Sequence, residues 1–303
     1  MNKVSTCPLC AGVGDQPGWA GKVSFEGNLF RYLECRECRS QFCNPMPDQD
    51  LIAKMYGPQY LELTESADPI EPNQGRQNEL VTEQLVKLSG SSIGSVGTFL
   101  DYGCGAGGGR LLSAQSLGWS VVGVEVNSEI ARLVSDSLGL QCLTVQDAEK
   151  LDRPIADVGH LGDVVEHLTE PLTQIQTFIK LIKPGGFILA QGPLEANRNL
   201  FEWSMRLSGK RNLERVLEFP PWHVILASAN GQRRFFELCG LETISFNISE
   251  IDWPAPARLR PAAYKDKRLL ALYLLRRASK AVGKLKIRDW GNRYFYVGRV
   301  PKG

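Results

Sequence analysis

Long apolar runs are what this 303-residue chain lacks most plainly. The longest, Leu269 to Leu275, falls far short of the ~20 residues that a membrane-spanning helix needs. No apolar stretch follows Met1-Asn2-Lys3-Val4 before Cys7 either, so no secretory leader is expected and the chain reads as cytoplasmic. An excess of either charge is also missing: the formal net charge is +2, which gives no global argument for a nucleic-acid partner. With 43% hydrophobic and 22% charged residues the composition excludes a disordered chain. The length suffices for one full α/β domain and a smaller module.

Cysteine, by contrast, is patterned. Cys7-Pro8-Leu9-Cys10 and Cys35-Arg36-Glu37-Cys38 form two Cys-x-x-Cys knuckles, separated by a segment whose Phe25, Leu29, Phe30 and Tyr32 can supply two short strands. Four thiolates at this spacing can close a tetrahedron around Zn²⁺, and a closed site of that kind is structural. In a reducing compartment paired cysteines hold metal more often than they form disulfides. A zinc ribbon is therefore expected over residues 1–47, with Cys43 a small buried residue or a fifth sulfur. Asp68 to Gly75 reads as a link, which makes 48–90 a helical linker and lid region. In it Asp48 is a good N-cap for a helix from Gln49 to Met55, and another helix runs from about Arg76 to Leu88.

The stretch from Thr98 to Arg110 joins a buried strand, a glycine turn and a helix start. From Val96 onward strands and helices alternate, the signature of a parallel sheet covered on both faces. Gly103, Gly105 and Gly108 also satisfy the dinucleotide-binding fingerprint. The second strand, Ser120 to Glu125, ends on an acid, and a carboxylate there can accept both ribose hydroxyls of an adenosine. Glu125 argues for an adenosine ligand without choosing between cofactors.

Asp101, just before the first glycine, makes the run Leu-Asp-Tyr-Gly-Cys-Gly-Ala-Gly resemble the first motif of class I S-adenosylmethionine (SAM)-dependent methyltransferases. Asp163-Val164-Val165-Glu166-His167-Leu168 resembles a later signature of that family, and Lys183-Pro184-Gly185-Gly186 its turn into strand five. The resemblance implies an α/β fold, a Rossmann-like class I methyltransferase sheet flanked by helices, over residues 91–303. It implies that Asp101, Gly103, Gly105, Gly107 and Asp163 surround the cofactor, Glu125 holds its ribose and Asp147 its adenine; a helix N-cap is the alternative for Asp147. Glu166 and His167 are either an acid/base pair or a tie for the following turn. Relatives often carry a bulky residue where this chain has Gly162, which alters the expected pocket shape.

A second resemblance, to sugar and natural-product methyltransferases, rests on the ribbon, Asn44-Pro45-Met46-Pro47, the spaced Tyr56 and Tyr60, and Pro220-Pro221-Trp222-His223. It implies that Tyr56 and Tyr60 lie near the acceptor, with core or surface packing as the alternative, and that His223 is the base, with a structural turn histidine as the alternative. An inserted segment, about 193–228, carries Arg198, Arg206, Lys210, Arg211 and Arg215, which would bind acceptor phosphates, Arg198 foremost. The expected activity is methyl transfer to a hydroxyl or carbon of a small molecule, a sugar or glycan precursor linked to a nucleotide or lipid. An NAD-dependent oxidoreductase and a zinc-ribbon nucleic-acid binder on a non-catalytic Rossmann-like domain are the rivals. In the tail, about 264–288, Leu270, Leu274, Ala278, Ala281 and Leu285 share one helical face and Arg276, Lys280 and Lys284 another. Such a helix either packs on the sheet with its basic face solvated or lies on the inner face of a membrane.

Overall fold

The computed structural model describes residues 4–56, 72–91, 97–214, 216–252, 265–285 and 287–302, without the side chains of 72–78, 90–91 and 209–214. Strands β1 (Gly14–Phe25) and β2 (Asn28–Cys35) form an antiparallel hairpin. Its two turn residues, Glu26 and Gly27, both have positive φ (50° and 71°), the geometry whose twist matches that of paired strands. Strand β3 (Gln41–Asn44) pairs with β2. Helix α1 (Gln49–Met55) starts where the Asp48 carboxylate accepts the Leu51 N–H, as the sequence predicts. Helix α2 spans Pro72–Ser91, several residues longer than its apolar period indicated.

The alternating region becomes β4 (Thr98–Tyr102), α3 (Gly109–Ser116), β5 (Ser120–Glu125), α4 (Ser128–Leu138), β6 (Gln141–Thr144), α5 (Val145–Glu149), β7 (Ala156–Gly162), α6 (Pro171–Lys180) and β8 (Ile182–Pro193). Then follow α7 (Leu200–Glu214), β9 (Val216–Glu218), β10 (Ile225–Leu226), α8 (Ala229–Leu238), β11 (Glu242–Ser249), α9 (Lys267–Gly283) and β12 (Arg293–Arg299). A seven-stranded sheet runs in the order β11-β12-β8-β7-β4-β5-β6. β4 through β8 pair in parallel, while β12 pairs antiparallel with both β8 and β11. The chain winds outward from β4 to β6 and returns at β7, so the strand order reverses beside β4. Ligands of open α/β sheets bind at the carboxyl ends of the strands flanking such a reversal.

The N-terminal strands β1, β2 and β3 belong to a five-stranded sheet, β10-β3-β2-β1-β9, completed by strands from the 193–228 segment, so the module expected over 1–47 shares its sheet with the insertion. β9 lies parallel to β1 and β10 antiparallel to β3. A three-stranded ribbon would leave two rows of unpaired backbone groups, and the insertion caps both. The apolar core is continuous across the two sheets, running from Leu9, Phe30 and Phe42 to Leu100, Ile188 and Tyr296. A second cluster with Leu85, Phe99, Leu111 and Trp119 covers the other face of the large sheet.

Of the two arrangements expected for α9, packing on the sheet through the leucine stripe with the basic face solvated is not the one observed. Arg276 is buried and paired with Glu250 at 3.3 Å, Ser279 is buried, and Lys280 pairs with Asp252 at 2.8 Å. The Leu-Ala stripe faces outward instead, with Leu274 57% and Leu285 73% exposed. The buried carboxylates of Glu250 and Asp252 decide this, because leaving them unpaired would cost more than exposing leucine side chains.

Candidate active site

The glycine turn follows β4 at the strand reversal. Gly103, Gly105 and Gly108 have φ of 76°, 64° and 51°, left-handed values that a side chain disfavours. A Cβ on Gly105 or Gly107 would meet nothing within 4 Å, so open space lies beside the turn. Glu125, the last residue of β5, is buried and braces this turn: one carboxylate oxygen accepts the Gly105 N–H at 3.0 Å and the other the Val126 N–H at 2.8 Å. A carboxylate has further lone pairs, so Glu125 can still accept hydroxyls.

Asp101 is paired in register with His160 of β7, and both are fully buried. The His160 Nδ1–H donates to Asp101 Oδ1 at 2.6 Å, and Asp101 Oδ2 has no partner among the described residues. Burial pushes the Asp101 carboxyl up, but His160 and the nearby Arg110 outweigh it and hold the group ionised. Burial keeps His160 neutral. An ionised, buried oxygen without a partner at the head of a glycine turn is equipped to receive a cation. His160 and Arg110 escaped the sequence reading; the available signal was a single polar residue inside the apolar run Val158 to Leu161.

Beyond the same strand ends lies a cavity of about 680 Å³ between the two sheets. Trp19 and Tyr32 of the small sheet, Phe201 of α7 and Trp222 line it, together with Asp163, Glu166, His167, Glu195, His223 and Arg293. The Trp222-His223 turn is held from the N-terminal region: Tyr32 Oη donates to the His223 carbonyl at 2.7 Å and Trp222 Nε1 to that of Met55 at 3.3 Å. The Trp222 carbonyl accepts the His167 Nδ1–H at 2.7 Å and the Tyr56 hydroxyl at 3.1 Å. The rings of His167 and His223 meet edge to face with centroids 4.9 Å apart.

The two imidazoles are driven in opposite directions. Burial and the neighbouring His223 lower His167 to about 3. Burial also opposes charge on His223, but Glu195, whose carboxylate lies 2.9 Å from Nδ1, prevails with Glu166 and Asp163 and raises it to about 9. Burial, helped by Asp163, lifts Glu166 to about 8. At neutral pH His223 is thus charged, His167 neutral and Glu166 protonated. A pair of imidazoles and carboxyls with separated proton affinities is acid/base equipment.

Comparison with known proteins bears on residues 74–244, which match the model of a family described as a methyltransferase domain. The chain belongs to this methyltransferase-domain family. Phosphoethanolamine N-methyltransferase 1 of Zea mays is 32% identical over 96 residues, 30% of this chain and 19% of that protein. The chain thus spans about a fifth of the length of the first curated relatives it matches. A ubiquinone biosynthesis O-methyltransferase of Dinoroseobacter shibae is 29% identical over 184 residues, 55% of this chain and 70% of that protein. Among solved structures the cyclase SpnF shares the fold at a TM-score of 0.54 with 16% identity, covering 86% of this chain and 99% of its own. Phosphoethanolamine N-methyltransferase 2 of Haemonchus contortus, in complex with S-adenosyl-L-methionine, gives 0.50 and 15%, covering 86% of this chain and 62% of its own.

Within this methyltransferase domain and its surroundings the remaining sequence-predicted residues fall in distinct places. Asp163 (φ 56°) lines the cavity and receives Arg293 Nη2 at 2.6 Å. Asp147 is exposed on the first turn of α5 and is not its N-cap: Thr144 is, its hydroxyl oxygen accepting the Asp147 N–H at 3.1 Å, while the Asp147 carboxylate accepts the Thr144 hydroxyl and Lys150. Arg198 is exposed and absent from the cavity wall, so the structure does not bring it to the acceptor side; its carbonyl accepts the Gly291 N–H. Tyr60 lies outside the described residues, as do Arg215 and the side chains of Lys210 and Arg211. Glu195 and Tyr32 were missed, since only the tertiary fold carries them to His223.

Cys7, Cys10, Cys35 and Cys38 converge on one point. Cys7 and Cys38 sulfurs are 3.7 Å apart and those of Cys10 and Cys35 3.5 Å. Ligands at ~2.3 Å from a tetrahedral Zn²⁺ would be about 3.8 Å apart, so the donor set fits that ion. The two knuckles match: Ala11 N–H bonds back to the Cys7 carbonyl, Arg39 N–H to that of Cys35, and both turn residues have positive φ. The second knuckle seats on α8, where Ser228 Oγ donates to the Cys38 carbonyl and a Cβ at Gly231 would lie 3.1 Å from the Cys38 sulfur. Glu166, His167 and His223 also bring ligand atoms within 4.8 Å of one another.

Proposed function

We propose that this chain transfers a methyl group from SAM to a hydroxyl or carbon of a small-molecule acceptor, by class a sugar or glycan precursor. The observation that carries this reading is the cavity walled by Asp163, Glu166, His167 and His223, with Asp163 directly following β7, the strand paired with the β4 strand that leads into the glycine turn. Asp101 Oδ2 suits the cofactor's ammonium, and Glu125 its ribose hydroxyls. When bound, SAM supplies a methyl group already activated on a sulfonium. The chain must then hold the acceptor in line and take its proton. His223, oriented by Glu195, is the base, and it acts once it has lost its own proton. Aromatic walls with carboxylates among them suit a sugar ring, whose apolar faces stack while its hydroxyls bond Glu166 and Asp163. Structural Zn²⁺ at the four cysteines fixes the small sheet that supplies Tyr32 and Trp19.

A phenolic acceptor is the second reading, favoured by the apolar wall of Val23, Leu217 and Leu226 and by the likeness to the ubiquinone biosynthesis O-methyltransferase. Isothermal titration of the zinc-loaded chain with SAM tests the core of the proposal, and no SAM binding alongside tight NAD binding overturns it. Incubation with methyl-labelled SAM and nucleotide- and lipid-linked sugars, followed by mass spectrometry, tests the acceptor class. Label appearing on phenols and on no sugar decides for the second reading.

A further inference from the structure

The outward face of α9 has no role in the site. Arg276, Ser279 and Lys280 turn inward and are locked there by Glu250, the backbone N–H of Leu200 and Asp252. The helix therefore cannot roll to bury its leucines without breaking these pairs. Ala271, Leu274, Ala278, Ala281 and Leu285 are left on the surface at helical spacing. Lys267, Arg268, Arg277 and Lys284 are exposed around them, and Asp266, the one acid in 265–288, is used as the helix N-cap. The apolar surface continues on α7, where Trp203 is 47% and Leu207 90% exposed, one turn apart. Trp203 packs edge to face on Trp290, whose indole donates to the Ser279 carbonyl of α9, which fixes α7 and its exposed Trp203 beside α9. Among the described residues no helix is long and apolar enough to cross a membrane.

We propose that this α7–α9 face docks on the surface of an anionic lipid bilayer. Charge and apolarity together select this occupant. A second copy of the chain would bring basic rims against each other, and a nucleic acid would engage the cations while leaving the leucines in water. An interface of anionic headgroups over acyl chains accepts both, with Trp203 at headgroup level. The docking stands independently of which acceptor is methylated.

The test is flotation of the full chain with vesicles of phosphatidylcholine alone or mixed with phosphatidylglycerol, at low and high salt. Binding is expected only with phosphatidylglycerol and should weaken with salt. Leu274→Ser with Leu285→Ser should lower it at least about tenfold, and Arg277→Gln or Lys284→Gln about fivefold each. Unchanged melting temperature and SAM affinity show that these variants fold. Absence of vesicle binding at any salt overturns the proposal, as does binding indifferent to the leucine changes. A wild-type dimer that the same leucine changes dissociate would overturn it in favour of a second copy.

Discussion

The two halves of the proposed site, one for the cofactor and one for the acceptor, are built in different ways. The cofactor half uses the ends of adjacent parallel strands: Asp101, the glycine turn and Glu125 lie within 25 residues of chain and are fixed by the pairing of β4 with β5 and β7. The acceptor half joins segments far apart in sequence, such as Tyr32 to the carbonyl of His223 and Tyr56 to that of Trp222. Its geometry depends on a sheet that closes only when β9 and β10 join β1 and β3. The difference teaches that donor binding and acceptor positioning should be separable by mutation, because they rest on different parts of the fold.

Removing a ligand of the proposed zinc tests this most severely. Cys35→Ser should release zinc and loosen the small sheet, since a closed zinc site contributes its binding energy to folding. Turnover should fall to background as Tyr32 ceases to hold His223. SAM affinity, measured by titration calorimetry, should stay within about threefold if the halves are independent. Equal loss of SAM binding would show that the shared core couples them.

Within the acceptor half, His223→Ala should reduce kcat/KM by about 10²–10⁴, the usual worth of a general base, with SAM affinity retained. The pH profile gives a sharper readout. His223 is raised to about 9, so kcat/KM should climb through about pH 9 as the base is freed. Stability runs the other way: the favourable charge of His223 beside Glu195 is fully present below the ordinary histidine range and lost as pH rises through about 9. Thermal melts across that window should show a fall. Glu195→Gln should move the activity limb to lower pH; an unmoved limb removes Glu195 as the orienting group.

In the cofactor half, Glu125→Gln keeps the shape but weakens acceptance of hydroxyls and of the Gly105 N–H. Loss of charge-assisted hydrogen bonds predicts about ten- to a hundredfold weaker SAM binding, with kcat at saturating SAM little changed. A change confined to kcat would assign Glu125 to the acceptor side instead.

The contrast between the halves also explains what the sequence could reveal. The α/β fold was legible because strand and helix periods alternate cleanly from residue 98. The positions of Asp101 and Glu125 were legible because strand-end chemistry depends on neighbours in sequence. Glu195, Tyr32 and Trp19 were not, since no local pattern distinguishes an acid or aromatic that will face a cavity from one that will face water. For α9, periodicity revealed a stripe but not its direction. That was decided by Glu250 and Asp252, which lie outside the helix and demand cations more strongly than leucines demand burial.

Gly162 offers the smallest and most local test, at the seam between the halves. It ends β7 one residue before Asp163, and a Cβ there would come within 2.5 Å of His160 Cε1 and 3.1 Å of the Arg110 guanidinium carbon. The missing side chain therefore makes room for the buried imidazole that holds Asp101. Gly162→Ala keeps the strand backbone possible but must displace the ring. Overpacking of this kind costs about 1–3 kcal/mol, visible as a lowered melting temperature. Because the displaced ring bonds Asp101 and not His223, SAM binding should weaken while the pH limb of activity stays at about 9. A shifted limb with unchanged SAM affinity would mean that His160 serves the acceptor half.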